Sequence, residues 1–252
     1  MNLIIIISLF VLGIIFGSFY NVVGYRIPKG ESILYPSSHC TNCNHKLSWY
    51  ELIPIFSFLF LKRRCKKCKQ KISWFYPLFE FLTGILFVIS YVIFGFSFEC
   101  VYSIVFISML LIIIISDYQT MIIPDSILIV FSAILIILKY FMYDMNAVGE
   151  SLLSALGSFI LMLSIKILGD FLFKKESMGG GDIKLLANFG FVLGFPLSIV
   201  SIFLAAIIAL PISLIILKIK KTHEIPFGPF LAIAALIIFL SQISFIDIIN
   251  IY

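Results

Sequence analysis

Runs of about twenty apolar residues recur along this chain, and a chain built that way has few options outside a lipid bilayer. A helix of that length matches the hydrocarbon thickness of a membrane. Hydrophobic residues make up 62% of the 252 and charged residues only 12%, where an average soluble domain is roughly a quarter charged. The N-terminal run, Met1 to Val23, has no basic residue ahead of it and no small-residue cleavage pattern behind it. It reads as a retained helix, not a removable signal.

Hydropathy places eight spans, at Leu3–Val23, Pro77–Phe94, Cys100–Ser116, Ser126–Met142, Leu152–Phe173, Ile183–Phe195, Leu197–Leu217 and Phe227–Ile249. Gly194-Phe195-Pro196 is a turn signal that makes the sixth and seventh a tight hairpin. No internal repeat stands out. The expected fold is therefore an all-α polytopic membrane protein of about eight transmembrane helices with a small zinc-binding loop domain. Residues 1–25 form the first helix, 26–76 the loop domain and 77–252 a seven-helix domain.

The net charge of +5 is too small to imply nucleic-acid binding; its placement is informative. Between Arg26 and Tyr76 lie ten cations, and Lys174, Lys175, Lys184, Lys218, Lys220 and Lys221 follow in two later segments. With eight spans, all these segments fall on one side. Positive loops stay cytoplasmic, so both termini are expected outside and the large loop inside.

Cys40-x-x-Cys43 and Cys65-x-x-Cys68 stand twenty-one residues apart in that loop. Two such hooks suit a tetrahedral site in which Cys40, Cys43, Cys65 and Cys68 hold a structural zinc, with no position left open for chemistry. A pair of disulfides is the alternative, although a cytoplasmic loop keeps its thiols reduced. His39 and His45 read as surface residues.

Acids at the edge of a membrane span are costly and point to function. Asp117 ends a long apolar run, and Asp182 follows Gly179, Gly180 and Gly181 at the start of the sixth span. The topology puts both at the same face and depth. Two carboxylates that share a site hold one proton between them, so one can donate while the other activates water. The three glycines leave room for a substrate backbone beside Asp182. Alternatively Asp182 is a helix cap and Asp117 an interfacial charge. Asp125, after Pro124, reads as a helix start; Lys184 either holds the acid pair or meets lipid headgroups. Intramembrane acids also line ion paths, but such acids are spread through the membrane depth, and these gather at one face.

Taken in order, several stretches resemble the type IV prepilin peptidases, membrane aspartyl proteases of the GxGD kind. They are Gly17-Ser18-Phe19-Tyr20-Asn21 with Arg26-Ile27-Pro28, the paired hooks, Tyr76-Pro77-Leu78-Phe79-Glu80, Asp117 through Pro124-Asp125, Gly179 through Lys184, and Ile225-Pro226-Phe227-Gly228-Pro229. The resemblance implies Asp117 and Asp182 as the catalytic pair, a bacterial cell membrane, and type IV prepilin or pseudopilin precursors as substrates. It also implies methylation of the new amino terminus from S-adenosylmethionine, for which Asn21, Arg26 and Glu80 are candidates. The family's glycine before the third cysteine is missing here, where the chain reads Lys62-Arg63-Arg64-Cys65. Glu31, Glu51 and Glu224 are the acids available to read a basic leader.

Overall fold

The structure is a computed structural model and describes residues 2–174, 176, 178–220, 225–243, 245 and 247. Lys175, Lys221, Glu224 and the expected end of the last span at Ile249 lie outside the described residues. Within them the chain is helical and has no β-strand: α1 Leu3–Arg26, α2 Phe56–Phe60, α3 Phe75–Phe94, α4 Phe98–Thr120, α5 Asp125–Met142, α6 Met145–Phe173, α7 Gly180–Leu193, α8 Phe195–Lys220 and α9 Gly228–Ser241.

Apart from the short α2, each of these helices falls on one of the eight spans read from hydropathy, although α9 stops at Ser241, where Gln242 turns left-handed, and not at Ile249. Six of them are long and apolar enough to cross a membrane, so the chain is a multi-pass membrane protein. The other two, α7 and α9, have 14 residues each. At 1.5 Å per residue such a helix reaches about 21 Å, short of a hydrocarbon core of about 30 Å.

Two compact units divide the chain at Cys100. In residues 1–100, α1 packs on α3, the helix that hydropathy alone groups with the later spans. Their backbones touch. A Cβ on Gly13 would stand 2.7 Å from the Gly84 Cα, and one on Gly17 would stand 2.8 Å from the Glu80 Cα. Glycines four apart on one helical face permit this approach in a medium that supplies no hydrophobic drive between helices. Ile4, Ile7, Val11 and Ile15 stay exposed on α1, as lipid-facing residues do.

Between α1 and α3 the two cysteine hooks fold alike. The Cys40 N–H donates to the His45 carbonyl and the Cys65 N–H to the Gln70 carbonyl, both at 2.9 Å. Isolated bridges join His39 to Lys46 and Arg64 to Lys71, and Asn44 and Lys69 both take a left-handed turn. Matching positions differ by twenty-five residues, and the match continues in sequence: Lys46-Leu47-Ser48-Trp49 answers Lys71-Ile72-Ser73-Trp74. The chain thus contains an internal repeat that apolar periodicity does not reveal, because its signature lies in a few polar and aromatic residues.

In residues 101–252, α4 carries the core: Phe106, Ile107, Met109, Leu110 and Ile113 are wholly buried. The Phe106 ring meets Phe189 of α7 and Phe239 of α9. Leu185, Leu186, Leu231, Ala232, Ala234 and Ala235 are likewise buried, whereas α5, α6 and α8 bury little of their length. The short helices are therefore the walled-in ones. Their free backbone ends need not span lipid, since irregular backbone at membrane depth is tolerated where protein covers it. Gly190 of α7 sits so tightly on α6 that a Cβ would lie 2.3 Å from the Ser158 hydroxyl.

Candidate active site and cysteine cluster

Asp117 lies in the last turn of α4. The helix stops four residues later, where Met121 adopts a left-handed conformation and donates its N–H to the Asp117 carbonyl at 2.9 Å. The Ser116 hydroxyl donates to the Ile122 carbonyl at 2.6 Å and folds the chain back; Pro124 then opens α5. This reversal swings Ile123 inward, between two glycines. A Cβ on Gly181 would stand 2.8 Å from the Ile123 Cβ, and one on Gly228 3.1 Å from its Cδ1.

Gly228 is the first residue of α9. Its N–H donates to the Asp117 carboxylate, and a Cβ there would stand 2.6 Å from Asp117 Oδ2. Asp182 occupies the third position of α7 and is not its cap; the N-cap is Gly179, with no side-chain capping bond. Asp182 Oδ2 comes within 3.8 Å of where a Gly179 Cβ would be, and the Asp182 and Asp117 carboxylates are in Coulombic reach of one another. Both acids are buried, at 6% and 8% exposure. Three helices and one turn thus bring two carboxyls into a niche whose walls are glycine backbone.

Lys184 does not face the acids. Its ammonium meets both Asp125 oxygens at 2.7 Å on a half-exposed surface. Of the three glycines, Gly179 touches Asp182 and Gly181 touches Ile123, while a Cβ on Gly180 would meet nothing within 4 Å. Ile123 and Gly228 carry no chemical group of their own, and reading the chain for acids and cysteines passes over them. The signal available was the Pro-x-Gly-Pro helix start from Pro226 to Pro229.

The residues suggested for methyl transfer lie in the first unit. The Asn21 amide donates to the Gly17 carbonyl at 3.1 Å and the Tyr76 carbonyl at 3.3 Å, and its Oδ1 is buried with no partner among the described residues. Glu80 Oε2 accepts the Ile55 N–H at 2.7 Å. Asn21 and Glu80 flank the Gly17 contact between α1 and α3. Arg26 sits at the end of α1 and donates to the Ser32 carbonyl at 3.0 Å.

Cys40, Cys43, Cys65 and Cys68 converge, with all four sulfurs within 4.8 Å of one another, and the cluster can hold a metal ion. The Gln70 backbone and then the Asn42 amide hold the Cys68 thiol down at about 6. The His45 backbone acts the other way on Cys43, but burial and the neighbouring thiols push it up to about 11. Cys68 is thereby favoured over Cys43 as a thiolate. His45 stays outside the cluster and faces Glu51 at 3.3 Å. Glu51 also accepts the Ser48 N–H at 2.8 Å and is buried, which removes it from the acids free to read a leader.

Comparison with known proteins identifies the family. Residues 11–94 match the bacterial peptidase A24 N-terminal domain and residues 104–214 the type IV leader peptidase family. The prepilin leader peptidase/N-methyltransferase of Bacillus subtilis (strain 168) is 37% identical over 95% of both chains. Proteins of the same name are 36% identical in Myxococcus xanthus (strain DK1622), over 72% of this chain and 54% of that one, and 33% identical in Klebsiella pneumoniae, over 74% and 84%. No solved structure matches. The chain belongs to the type IV leader peptidase family.

Proposed function

We propose that the chain is a membrane aspartyl endopeptidase that removes the leader from type IV prepilin-like precursors at the cytoplasmic face of a bacterial cell membrane. The observation that carries this reading is the meeting of two buried acids, Asp117 and Asp182, in a niche walled by Gly179, Gly181 and Gly228. An extended peptide backbone can approach beside Gly179 and Gly180, where little or nothing stands within 4 Å of a Cβ, while Asp117 and Ile123 fill the space left by Gly228 and Gly181. One carboxylate takes a proton from water as the oxygen adds to the scissile carbonyl, and the other carboxyl donates its proton to the carbonyl oxygen. The first acid then gives its proton to the departing amine while the second takes one back from the tetrahedral diol, which breaks the C–N bond and restores the pair. The Gly228 N–H, at a helix N-terminus, keeps Asp117 oriented throughout.

The distribution of lysines supports both termini outside and the cysteine loop in the cytoplasm. A precursor whose apolar helix lies in the bilayer then offers its leader junction at the level of the two acids. Asp117→Asn and Asp182→Asn should each abolish cleavage of a prepilin-like precursor in proteoliposomes, by at least about a thousandfold, while the protein still inserts. Normal cleavage by either variant refutes the assignment.

The same reading includes zinc and S-adenosylmethionine. A tetrahedron of Zn–S bonds of about 2.3 Å has edges of about 3.8 Å, and the Cys40–Cys68 and Cys43–Cys65 sulfurs are 3.8 and 3.9 Å apart. S-adenosylmethionine, when bound, supplies an electrophilic methyl group. The unpartnered Asn21 Oδ1 fits a ligand donor, and Glu80 is placed to take the proton that the methylated amine loses. Mass spectrometry of the product with and without S-adenosylmethionine separates cleavage alone from cleavage plus one methyl.

A further inference from the structure

Between Glu51 and Glu80 the chain carries seven cations and no acid. None of these cations makes an ion pair among the described residues. Four of them, Lys62, Arg64, Lys66 and Lys69, line a cleft of about 340 Å³ together with Phe60 and Leu61. The helix beside the cleft has two faces. Phe58 of α2 is buried against Trp74 at 4.8 Å, while Phe56, Leu59 and Phe60 are 56%, 60% and 82% exposed. Exposed apolar side chains of that size beside cations that pair with no acid call for a partner that is both greasy and anionic.

The position of this face narrows the partner further. Trp74 immediately precedes the membrane helix α3 and lies under the Arg63 guanidinium at 4.7 Å. The α2 segment and the second cysteine hook are thereby clamped to the point where the chain enters the bilayer. The other end of the loop is tied to the end of α1. A surface held there meets lipid headgroups before it meets anything else.

We propose that this face docks on anionic phospholipid of the leaflet in which the chain is anchored. Phe60 and Leu59 enter the boundary between headgroups and acyl chains. Lys62, Arg64 and Lys69 pair with headgroup phosphates, as basic segments beside membrane helices do. Arg63 and Lys66 are held by Trp74 and by the Tyr50 hydroxyl at 2.6 Å, so they brace the cleft.

Both tryptophans of the chain, Trp49 and Trp74, lie in this loop, so selectively excited tryptophan fluorescence reports on it alone. The full chain in phosphatidylcholine nanodiscs is compared at equal mole fraction of brominated phosphatidylglycerol or brominated phosphatidylcholine. Quenching by the anionic lipid should be roughly twice as strong, and the excess should vanish near about 1 M salt. The combined Lys62→Gln, Arg64→Gln, Lys69→Gln variant should lose the excess. Phe60→Ser keeps every charge and should weaken quenching by both lipids. Equal quenching by the two lipids overturns the proposal and leaves the face to an acidic protein surface. An excess that survives salt or the triple substitution also overturns it. Loss of the excess on adding millimolar inorganic phosphate, with salt held constant, assigns the cleft to a free anion instead.

Discussion

Alanine placed at each glycine around the two acids should produce a graded loss of cleavage that follows contact distance and not sequence proximity to Asp182. At Gly228 the added methyl would stand 2.6 Å from Asp117 Oδ2, so the carboxylate or the start of α9 must retreat by about 0.8 Å to reach ordinary contact. That shift also stretches the Gly228 N–H bond to Asp117. A misplacement approaching 1 Å costs roughly a hundredfold in rate, whereas overpacking of one methyl costs about 1–3 kcal/mol of stability. The expected outcome is a kcat lowered about 30- to 100-fold with KM nearly unchanged. At Gly181 the methyl would press on the Ile123 Cβ at 2.8 Å, which has no freedom to swing away, and a loss of about tenfold should follow. At Gly179 contact with Asp182 is ordinary, at 3.8 Å, and at Gly180 there is nothing within 4 Å. Neither should lower kcat more than about threefold, a narrowed path for the peptide showing instead in KM, and Gly180→Ala gains slightly in stability from lower unfolded-state entropy. Cleavage of a prepilin-like precursor in proteoliposomes, with thermal unfolding measured in parallel, gives both quantities. Wild-type turnover by Gly228→Ala, or a greater loss at Gly180 than at Gly228, would refute the reasoning.

Replacing Cys40, Cys43, Cys65 or Cys68 by Ser, or chelating the metal, should disorder the loop and shift tryptophan emission to the red; unchanged emission with no bound metal would contradict a structural site. Burial works against the Glu51 carboxylate, but the Ser48 N–H and His45 outweigh it and hold its pKa below the usual carboxylate range. Its contribution is therefore complete above the unfolded value of about 4.3 and fades as pH falls through the lower folded value. The loop of Glu51→Gln should be less stable than wild type at neutral pH, with the gap closing in acid; a gap independent of pH refutes this. For the half-exposed Lys184–Asp125 pair, a double-mutant cycle on thermal stability should give a coupling of no more than about 1 kcal/mol. A coupling above about 2 kcal/mol would mean that the pair is far better shielded than its exposure indicates.

Much of this architecture is legible because membrane helices announce themselves by composition. The eight helix positions, the acids that end α4 and begin α7, and the paired cysteine hooks all follow from hydropathy, lysine placement and spacing. What escaped is of a different kind. The brevity of α9, which hydropathy extends to Ile249, depends on burial by other helices, which no local window contains. Gly228 and Ile123 act through the absence or bulk of a side chain, so they show only when distant segments are brought together. Asp182 also reads as a cap by residue type, and only the backbone shows that Gly179 holds that position. Lys184 is two residues from Asp182 in sequence, yet neighbours on a helix separated by two residues do not share a face, and its partner is Asp125.

Ile55 is a β-branched residue with φ of 61°, a conformation rarely adopted by such side chains. Its N–H is given to Glu80, which lies within the α1–α3 contact. The loop that holds Ile55 is itself gathered by the four cysteines, so one hydrogen bond ties that loop to a buried carboxylate of the membrane helices. A bond to an ionised carboxylate contributes about 2 kcal/mol, equivalent to a roughly thirtyfold change in an equilibrium constant. Thermodynamic reciprocity then makes the influence run in both directions. A metal held by the four cysteines would then be linked to Glu80: its removal would loosen the Ile55 donor, and neutralising Glu80 would lower the metal affinity of the loop.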